Sequence, residues 1–267
     1  MAATAIQYQH VDLSHGKTRY IEAGAGPPVI LIHGFPFHHS ADSWWPNIPA
    51  LASQFRVLAP DCVGWSPSDF FDQAYSFAYI TDFVREFQDA LEIRSSHIVG
   101  TSMGGWIAGL LCYESPDRVD RCVQTGHNGI GARANPGMTN WTDESNDDIR
   151  EWLDQCTKGA PVDAEGLIEE RIVKAHEPGR KGAFAKLAHH MGDGETRRRY
   201  DLNRRLPRIT VPTLFIWGRT DPSFNLAEQA TALTPGSELV VLECGHNVPF
   251  EDAEGFNRAT TAFLSGR

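Results

Sequence analysis

The stretch Gly100-Thr101-Ser102-Met103-Gly104-Gly105 decides how the rest of this chain is read. It follows a short apolar run, His97-Ile98-Val99, and opens a largely apolar, glycine-rich segment, Met103 to Glu114, that is patterned as a helix. This is the G-x-S-x-G pattern in the strand, turn and helix context that gives it meaning. A serine on so sharp a turn projects its hydroxyl above the strand ends. The flanking glycines leave room for neighbouring backbone where a Cβ would clash.

Working outward, further apolar runs stand at residues 29–32, 56–59, 122–123, 213–217 and 239–242. They are apolar throughout rather than alternating, as expected of strands buried on both faces of a mostly parallel sheet. Ile80, Phe83, Val84, Phe87 and Leu91 fall on one face of a helix after the second of these runs. The alternation of strand and helix stops after Asn128, where Gly129, Gly131, Pro136 and Gly137 mark a loop. From there to about Leu206 the patterns are helical, notably over 148–156 and 164–175, and strand character returns at Pro212-Thr213-Leu214. The expected architecture is therefore an α/β sheet domain assembled from residues 1–128 and 208–267, with a helical cap, 129–207, inserted between its strands.

Composition narrows the function. With 267 residues, 41% apolar and 22% charged, the chain is long enough for a substantial core and is neither disordered nor low in complexity. A formal charge of −10 repels phosphate backbones, so a small-molecule substrate rather than a nucleic acid is the expected partner. Met1 to His10 carries no signal-peptide pattern, and the apolar stretches are strand-sized, so neither secretion nor a membrane partner is expected. Cys62, Cys112, Cys122, Cys156 and Cys244 are scattered without a C-x-x-C pair, which argues against a disulfide framework and a zinc site and points to a reducing cytoplasm.

A serine hydroxyl is a weak nucleophile near neutrality and needs a base whose tautomer is fixed. His246, in Cys244-Gly245-His246-Asn247, follows the last strand candidate, and Asp221, in Gly218-Arg219-Thr220-Asp221-Pro222, follows the one before it. Both positions are carboxyl ends of parallel strands, where open α/β sheets bind ligands. His246 is preferred to ten other histidines by this position: His127 sits at the cap entrance, His189 and His190 lie within the cap, and His38 and His39 lie in the loop after the first strong strand. The strand ending at Gly126 offers no rival acid, because no Asp or Glu occurs between Gly126 and Thr142. His33-Gly34-Phe35-Pro36 is the natural oxyanion loop, with the backbone N–H groups of Phe35 and Met103 converging on a tetrahedral intermediate. His33 reads as a structural brace, and Pro36 as the residue that fixes the turn, with a cis bond an open option.

Taken in order, HGFP, PDCVGWSPSD, GTSMGGW, GRTDP and GHNVPFED resemble the α/β-hydrolase superfamily over nearly the whole chain outside the cap. The resemblance implies an eight-stranded, mostly parallel sheet, a lid after the sixth strand, no metal or organic cofactor, and the triad Ser102, His246 and Asp221. Ser102, where haloalkane dehalogenases and epoxide hydrolases carry an aspartate, excludes their alkyl-enzyme chemistry. Pro46 to Asp69, Gly104-Gly105-Trp106-Ile107-Ala108 and Phe256-Asn257-Arg258 are similar to carbon–carbon hydrolases that cleave ring-fission (meta-cleavage) products. That family usually has asparagine before the serine and tryptophan after the histidine, where this chain has Thr101 and Asn247, and a glycine-rich oxyanion segment where this chain has Phe35-Pro36-Phe37. Hydrolysis of a small carboxylic ester through an acyl-enzyme is the leading expectation, with carbon–carbon hydrolysis as the alternative.

Within the cap, Trp141 and Trp152 are candidates for apolar contact with a substrate, against the commoner reading of such aromatics as core. Arg197, Arg198 and Arg199, with Arg204, Arg205 and Arg208, form the basic cluster of an acidic chain. Such a run is commonly a solvated helix face. The sharper alternative is that one of Arg197, Arg198 and Arg199 clamps a substrate carboxylate above Ser102.

Overall fold

The computed structural model describes residues 6–131 and 133–266. Residues 1–5, on which part of the leader reading falls, lie outside the described residues. Strand β1 (Gln7–Leu13), β2 (Gly16–Ala23), β3 (Pro28–Ile32), β4 (Arg56–Pro60), β5 (Ser96–Thr101), β6 (Val119–Thr125), β7 (Thr213–Gly218) and β8 (Glu238–Leu242) form one sheet. Among the described residues it has eight strands in the order β1-β2-β4-β3-β5-β6-β7-β8. β1 with β2 and β2 with β4 pair antiparallel, and the remaining neighbours pair parallel.

β3 shows why its sequence is apolar throughout. Ile30 and Ile32 enter the core on one face of the sheet, Val29 and Leu31 the core on the other, and all four are fully buried. Burial of each is worth roughly 1.5–3 kcal/mol. Helix α1 (Ile48–Leu51) and α11 (Ala253–Leu264) cover the second face, while α2 (Phe77–Ala90), α3 (Met103–Glu114) and α9 (Phe224–Leu233) cover the first. The stripe Ile80, Phe83, Val84 and Phe87 is the buried face of α2, with Leu91 packed at its margin. β1 and β2 are not among the apolar runs: β1 (QYQHVDL) is half-exposed along most of its length at the antiparallel edge, and β2 (GKTRYIEA) buries the polar Thr18 and Arg19 beside Tyr20 and Ile21.

Between β6 and β7 the described residues form only helices: α4 (Pro136–Thr139), α5 (Asn146–Cys156), α6 (Ala164–Ala175), α7 (Arg180–Gly192) and α8 (Gly194–Arg199). Side-chain caps set the starts of α4, α5, α6 and α8, whereas α7 begins after Gly179 without one. Ser145 and Asp148 form a reciprocal capping box at α5, and Asp163 and Asp193 cap α6 and α8. Where this insertion leaves and rejoins the core, Leu202 N–H donates to Gly129 O at 2.7 Å. Glu144, ahead of α5, accepts from the amides of Phe37 and His38 at 2.9 and 3.0 Å, tying the insertion to the loop after β3. No helix among the described residues is long and apolar enough to cross a membrane. α10 (Val248–Glu251) completes the chain between β8 and α11.

Candidate active site

Ser102 stands between the end of β5 and the start of α3 with φ 53° and ψ −114°, a conformation that L residues rarely adopt. Such strain costs on the order of 1–3 kcal/mol and persists only where the surroundings enforce it. Here the Ser102 N–H donates to Thr125 O on β6 at 2.8 Å, while its carbonyl accepts from Trp106 N at 3.2 Å. Two glycines make the turn feasible: a Cβ on Gly100 would collide with Gly104 O, and one on Gly104 with Ile32 O.

The strand ends bring the other two predicted residues to this serine. His246 Nε2 lies 3.2 Å from Ser102 Oγ, and His246 Nδ1 lies 2.9 Å from Asp221 Oδ2. Asp221 is buried, and its Oδ1 accepts from both the N–H and the hydroxyl of Ser223 at 2.8 Å. Burial pushes this carboxyl up, but the hydrogen bonds from His246 and Ser223 and the attraction of His246 outweigh it and hold the group below the usual carboxylate range. Asp221 is thus an anion facing Nδ1, which fixes the proton there and leaves Nε2 as the acceptor toward Ser102.

The loops that carry these groups are themselves braced. Glu251, on α10, accepts from Gly245 N at 2.6 Å and Asn247 N at 2.9 Å, gripping His246 from both sides. Thr220 donates from its N–H and hydroxyl to Cys244 O at 3.0 and 2.9 Å, joining the Asp221 and His246 loops. Gly126, with φ 58°, ends β6 against His246, where a Cβ would come within 3.3 Å of the imidazole Cε1. Glu251 escaped the residue-by-residue reading. The available signal was an acid in the first turn of the helix after the histidine, placed to reach back to the amides ahead of it.

The loop after β3 passes close beside the serine, since a Cβ on Gly34 would sit 3.5 Å from Ser102 Cβ. His33 is its brace. Its Nε2 accepts from Cys62 N at 3.0 Å, so Nδ1 carries the proton and donates to Gly34 O at 2.8 Å. Burial lowers its pKa to about 4 and keeps it neutral. Trp65 Nε1 donates to Phe35 O and Pro36 O at 2.9 and 3.1 Å, which turns both carbonyls to the indole. The cis peptide among the described residues precedes Pro67, so the bond before Pro36 is trans. Met103 is the first residue of α3, where helical N–H groups have no intrahelical acceptor and the helix dipole is positive.

Ser102 opens into a cleft of about 220 Å³ whose walls are Phe35, Pro36, Phe77, Met103, Trp106, Asn128, Asn135, Met138, Met191, Arg197 and His246. It adjoins a wider vestibule of about 790 Å³ that shares Asn128, Asn135, Arg197 and His246. Phe35 and Met103 therefore line the cleft. Neither candidate tryptophan does: Trp141 packs on Phe37 and Phe184, with ring centroids 5.6 and 4.8 Å away. Trp152 stacks on His39 at 4.4 Å and donates to Ser43 Oγ at 3.1 Å, beside a separate small cavity. The basic run divides likewise. Arg197 is buried in the cleft wall, whereas Arg198 and Arg199 are exposed, Arg199 pairing with Glu195 at 3.4 Å. Phe77, Trp106, Met138 and Met191 carry no mark in the sequence that separates a cleft wall from core.

A profile of the alpha/beta hydrolase family matches residues 29–259, and the chain belongs to that family. It is 28% identical to 2-hydroxy-6-oxo-6-phenylhexa-2,4-dienoate hydrolase of Burkholderia cepacia, over 95% of this chain and 93% of that protein. To Carboxylesterase YbfK of Bacillus subtilis it is 27% identical, over 96% of this chain and 87% of that one. Among solved structures, a meta-cleavage product hydrolase from Pseudomonas fluorescens IP01 superimposes with a TM-score of 0.76 at 30% identity, covering 97% of each chain. The protein is thus a hydrolase-fold enzyme whose relatives include both carbon–carbon hydrolases and a carboxylesterase.

Proposed function

We propose that this enzyme hydrolyses small carboxylic esters through an acyl-enzyme on Ser102. The observation that carries the reading is the continuous chain from Ser102 Oγ through His246 to Asp221, at 3.2 and 2.9 Å. Ser102 attacks the ester carbonyl while His246 Nε2 takes its proton, and Asp221 stabilises the imidazolium that results. The backbone amides of Phe35 and Met103 hold the oxyanion, each such donor being worth roughly 2.7–4 kcal/mol. Collapse breaks the C–O bond, His246 returns the proton to the departing alcohol, and water activated by the same histidine releases the acid. The five unpaired thiols support a cytoplasmic setting for this chemistry.

The second reading, carbon–carbon hydrolysis of a ring-fission product, is favoured by the relatives of that activity. It requires the same residues to support ketonisation of a dienol as well. Thr101 and Asn247 depart from that resemblance on both sides of the reacting groups, which sets the ester first. The deciding experiment is a panel of p-nitrophenyl esters beside one ring-fission dienoate, followed by absorbance, with fluorophosphonate labelling of wild type and Ser102→Ala. Ester turnover with labelling lost in the variant supports the proposal. Turnover of the dienoate alone transfers the assignment to the second reading, and labelling that persists on another serine removes Ser102 as nucleophile.

A further inference from the structure

Arg197, on α8, is 5% exposed and lines the same cleft as Ser102 and His246. Among the described residues no carboxylate lies within ion-pairing distance of its guanidinium. Its own contacts are weak for so costly a group: Nη1 reaches Met191 O at 3.4 Å and Met138 Sδ at 3.6 Å, and Cζ lies 4.7 Å from the centroid of the Trp106 ring. Nε is buried with no acceptor, and Nη2 makes no hydrogen bond to any described residue. Three other buried arginines face carboxylates: Arg19 is held by Asp42 and Asp61, Arg180 by Glu177 at 2.7 Å, and Arg171 faces Asp42 at 3.6 Å. Arg205, 8% exposed and also without a carboxylate, is instead held by the carbonyls of Asp201 and Arg199 at 2.6 and 3.1 Å.

A buried guanidinium without an anion is unfavourable unless something supplies the missing charge. Burial lowers the Arg197 pKa to about 10, so the group is still cationic near neutrality. Around it, Trp106, Met138 and Met191 form walls that an apolar side chain would fill as well, so packing alone does not call for a guanidinium. The vestibule outside repeats the sign. Its charged lining consists of Arg133, Arg197 and Asp221, and Asp221 is already engaged by His246. In a chain of net charge −10, this is a local positive entrance on a surface that otherwise repels anions.

We infer that Arg197 is the anchor for a carboxylate carried by the substrate, so that the enzyme's substrate class is the half-ester of a short dicarboxylic acid, its ester carbonyl at Ser102 and its free carboxylate at Arg197. The ester half of this statement rests on the esterase reading above; the anchor rests on Arg197 alone. A carboxylate offers two acceptor oxygens to the unfilled guanidinium nitrogens, and its single charge matches the one buried cation of the cleft. A phosphate monoester, with nearly twice the charge, would call for a second buried donor group that the cleft wall lacks among the described residues. The methylenes between the two carboxyl groups would lie along Met138, Met191 and Trp106.

The test compares monomethyl with dimethyl esters of succinic, glutaric and adipic acids by proton release. In the wild type, kcat/KM for the best half-ester should exceed that of its dimethyl ester by about 10- to 100-fold, as expected for hydrogen bonds to a charged group. Arg197→Met should bring that ratio close to one, Arg197→Lys should leave an intermediate ratio, and Arg198→Met and Arg199→Met should keep the wild-type ratio. In a Ser102→Ala background, calorimetry with the free dicarboxylates should detect binding that weakens about tenfold or more when Arg197 is also replaced by Met. Equal turnover of half-ester and diester by the wild type overturns the anchor while leaving the esterase reading intact. Arg197-dependent dicarboxylate binding in a protein that hydrolyses no ester overturns the esterase reading and keeps the anchor. If Arg197→Met does not fold, the wild-type ratio and Arg197→Lys decide.

Discussion

Replacing Asp221 by Asn should cost about 10⁴ in kcat with little change in stability, on the precedent of the worked Ser-His-Asp triad. The structure says how the loss arises. Asp221 receives three hydrogen bonds, two on Oδ1 from the N–H and hydroxyl of Ser223 at 2.8 Å and one on Oδ2 from His246 Nδ1 at 2.9 Å. An amide has only one oxygen, and the Ser223 backbone N–H can only donate, so the amide oxygen stays on the Ser223 side. The new NH2 then faces His246 Nδ1, which must become an acceptor, and the imidazole proton moves to Nε2, the nitrogen 3.2 Å from Ser102 Oγ. In that tautomer the base has no lone pair for the serine proton. The flipped amide restores the tautomer only by setting its NH2 against the buried Ser223 N–H, at about 1–3 kcal/mol, which removes roughly 5- to 150-fold of the productive population. Loss of the anion opposite the imidazolium accounts for the remainder of a barrier increase of about 5 kcal/mol. Initial rates on p-nitrophenyl acetate, with melting temperatures measured alongside, check this. A folded Asp221→Asn enzyme within about tenfold of wild-type kcat would refute both the assignment of the acid and the argument from Ser223.

Glu251→Gln leaves one oxygen where Gly245 and Asn247 now use two, so the His246 loop should loosen and kcat fall by about 10- to 100-fold, an effect of misplacement readable in steady-state kinetics. Unchanged kcat would make Glu251 incidental to the loop. Gly104→Ala would drive a Cβ onto Ile32 O and to 2.8 Å from His33 O, backbone that cannot step aside, and should destabilise by about 2 kcal/mol or more in a denaturant titration. Acid should also destabilise the fold. Burial lowers the pKa of His33 to about 4 and that of His127 to about 3, whereas both titrate near 6.5 when unfolded. Below about pH 6.5 the unfolded chain therefore binds more protons than the folded one, and stability present above that pH is lost as pH falls toward 4, by roughly 3 kcal/mol or more per histidine. A melting temperature that stays flat from pH 7 to pH 4.5 would contradict the burial of these two side chains.

The six apolar runs of the sequence correspond to β3 through β8 because each of those strands faces core on at least one side, and those of the sheet centre on both. β1 lacked the signal for a physical reason: at an antiparallel edge its residues Gln7, Gln9, His10 and Asp12 meet solvent or polar partners, and the pattern approaches that of a loop. Ser102, Asp221 and His246, the proposed triad, were legible because a tight turn and two strand ends leave few places for them, and each place carried a recognisable local motif. The cleft wall was not. Arg197, Arg198 and Arg199 are adjacent on one helix, so each points about 100° round the axis from the one before, and nothing local says which faces inward. That choice is made by Trp106 and Met138, distant in sequence and adjacent only after folding. Trp141 and Trp152 illustrate the converse, since large apolar area can be satisfied against Phe184 or His39 as readily as against a ligand.

The groups assigned to chemistry and to recognition are referred to one rigid body. Ser102 precedes α3 directly, Met103 is its first residue, and Trp106, one turn on, carries Arg197 over its ring and donates from Nε1 to Tyr200 O at 2.9 Å. α3 is apolar almost throughout and is wedged against β3, β5 and β6, with Ile107, Ala108, Leu110 and Leu111 buried. Its position is therefore fixed by the core rather than by the insertion. The insertion registers on α3 through the Trp106 contacts, and on the loop after β3 through Glu144 and through Phe184 of α7, whose ring centroid lies 5.4 Å from that of Phe35 and 4.8 Å from that of Phe37, so a displacement of α7 would reach both the Arg197 end of the cleft and Phe35. The turn at Ser102 itself is held by Thr125 on β6 and by Trp106 on α3, so the cleft-wall residues contributed between β6 and β7 can vary without entering that turn.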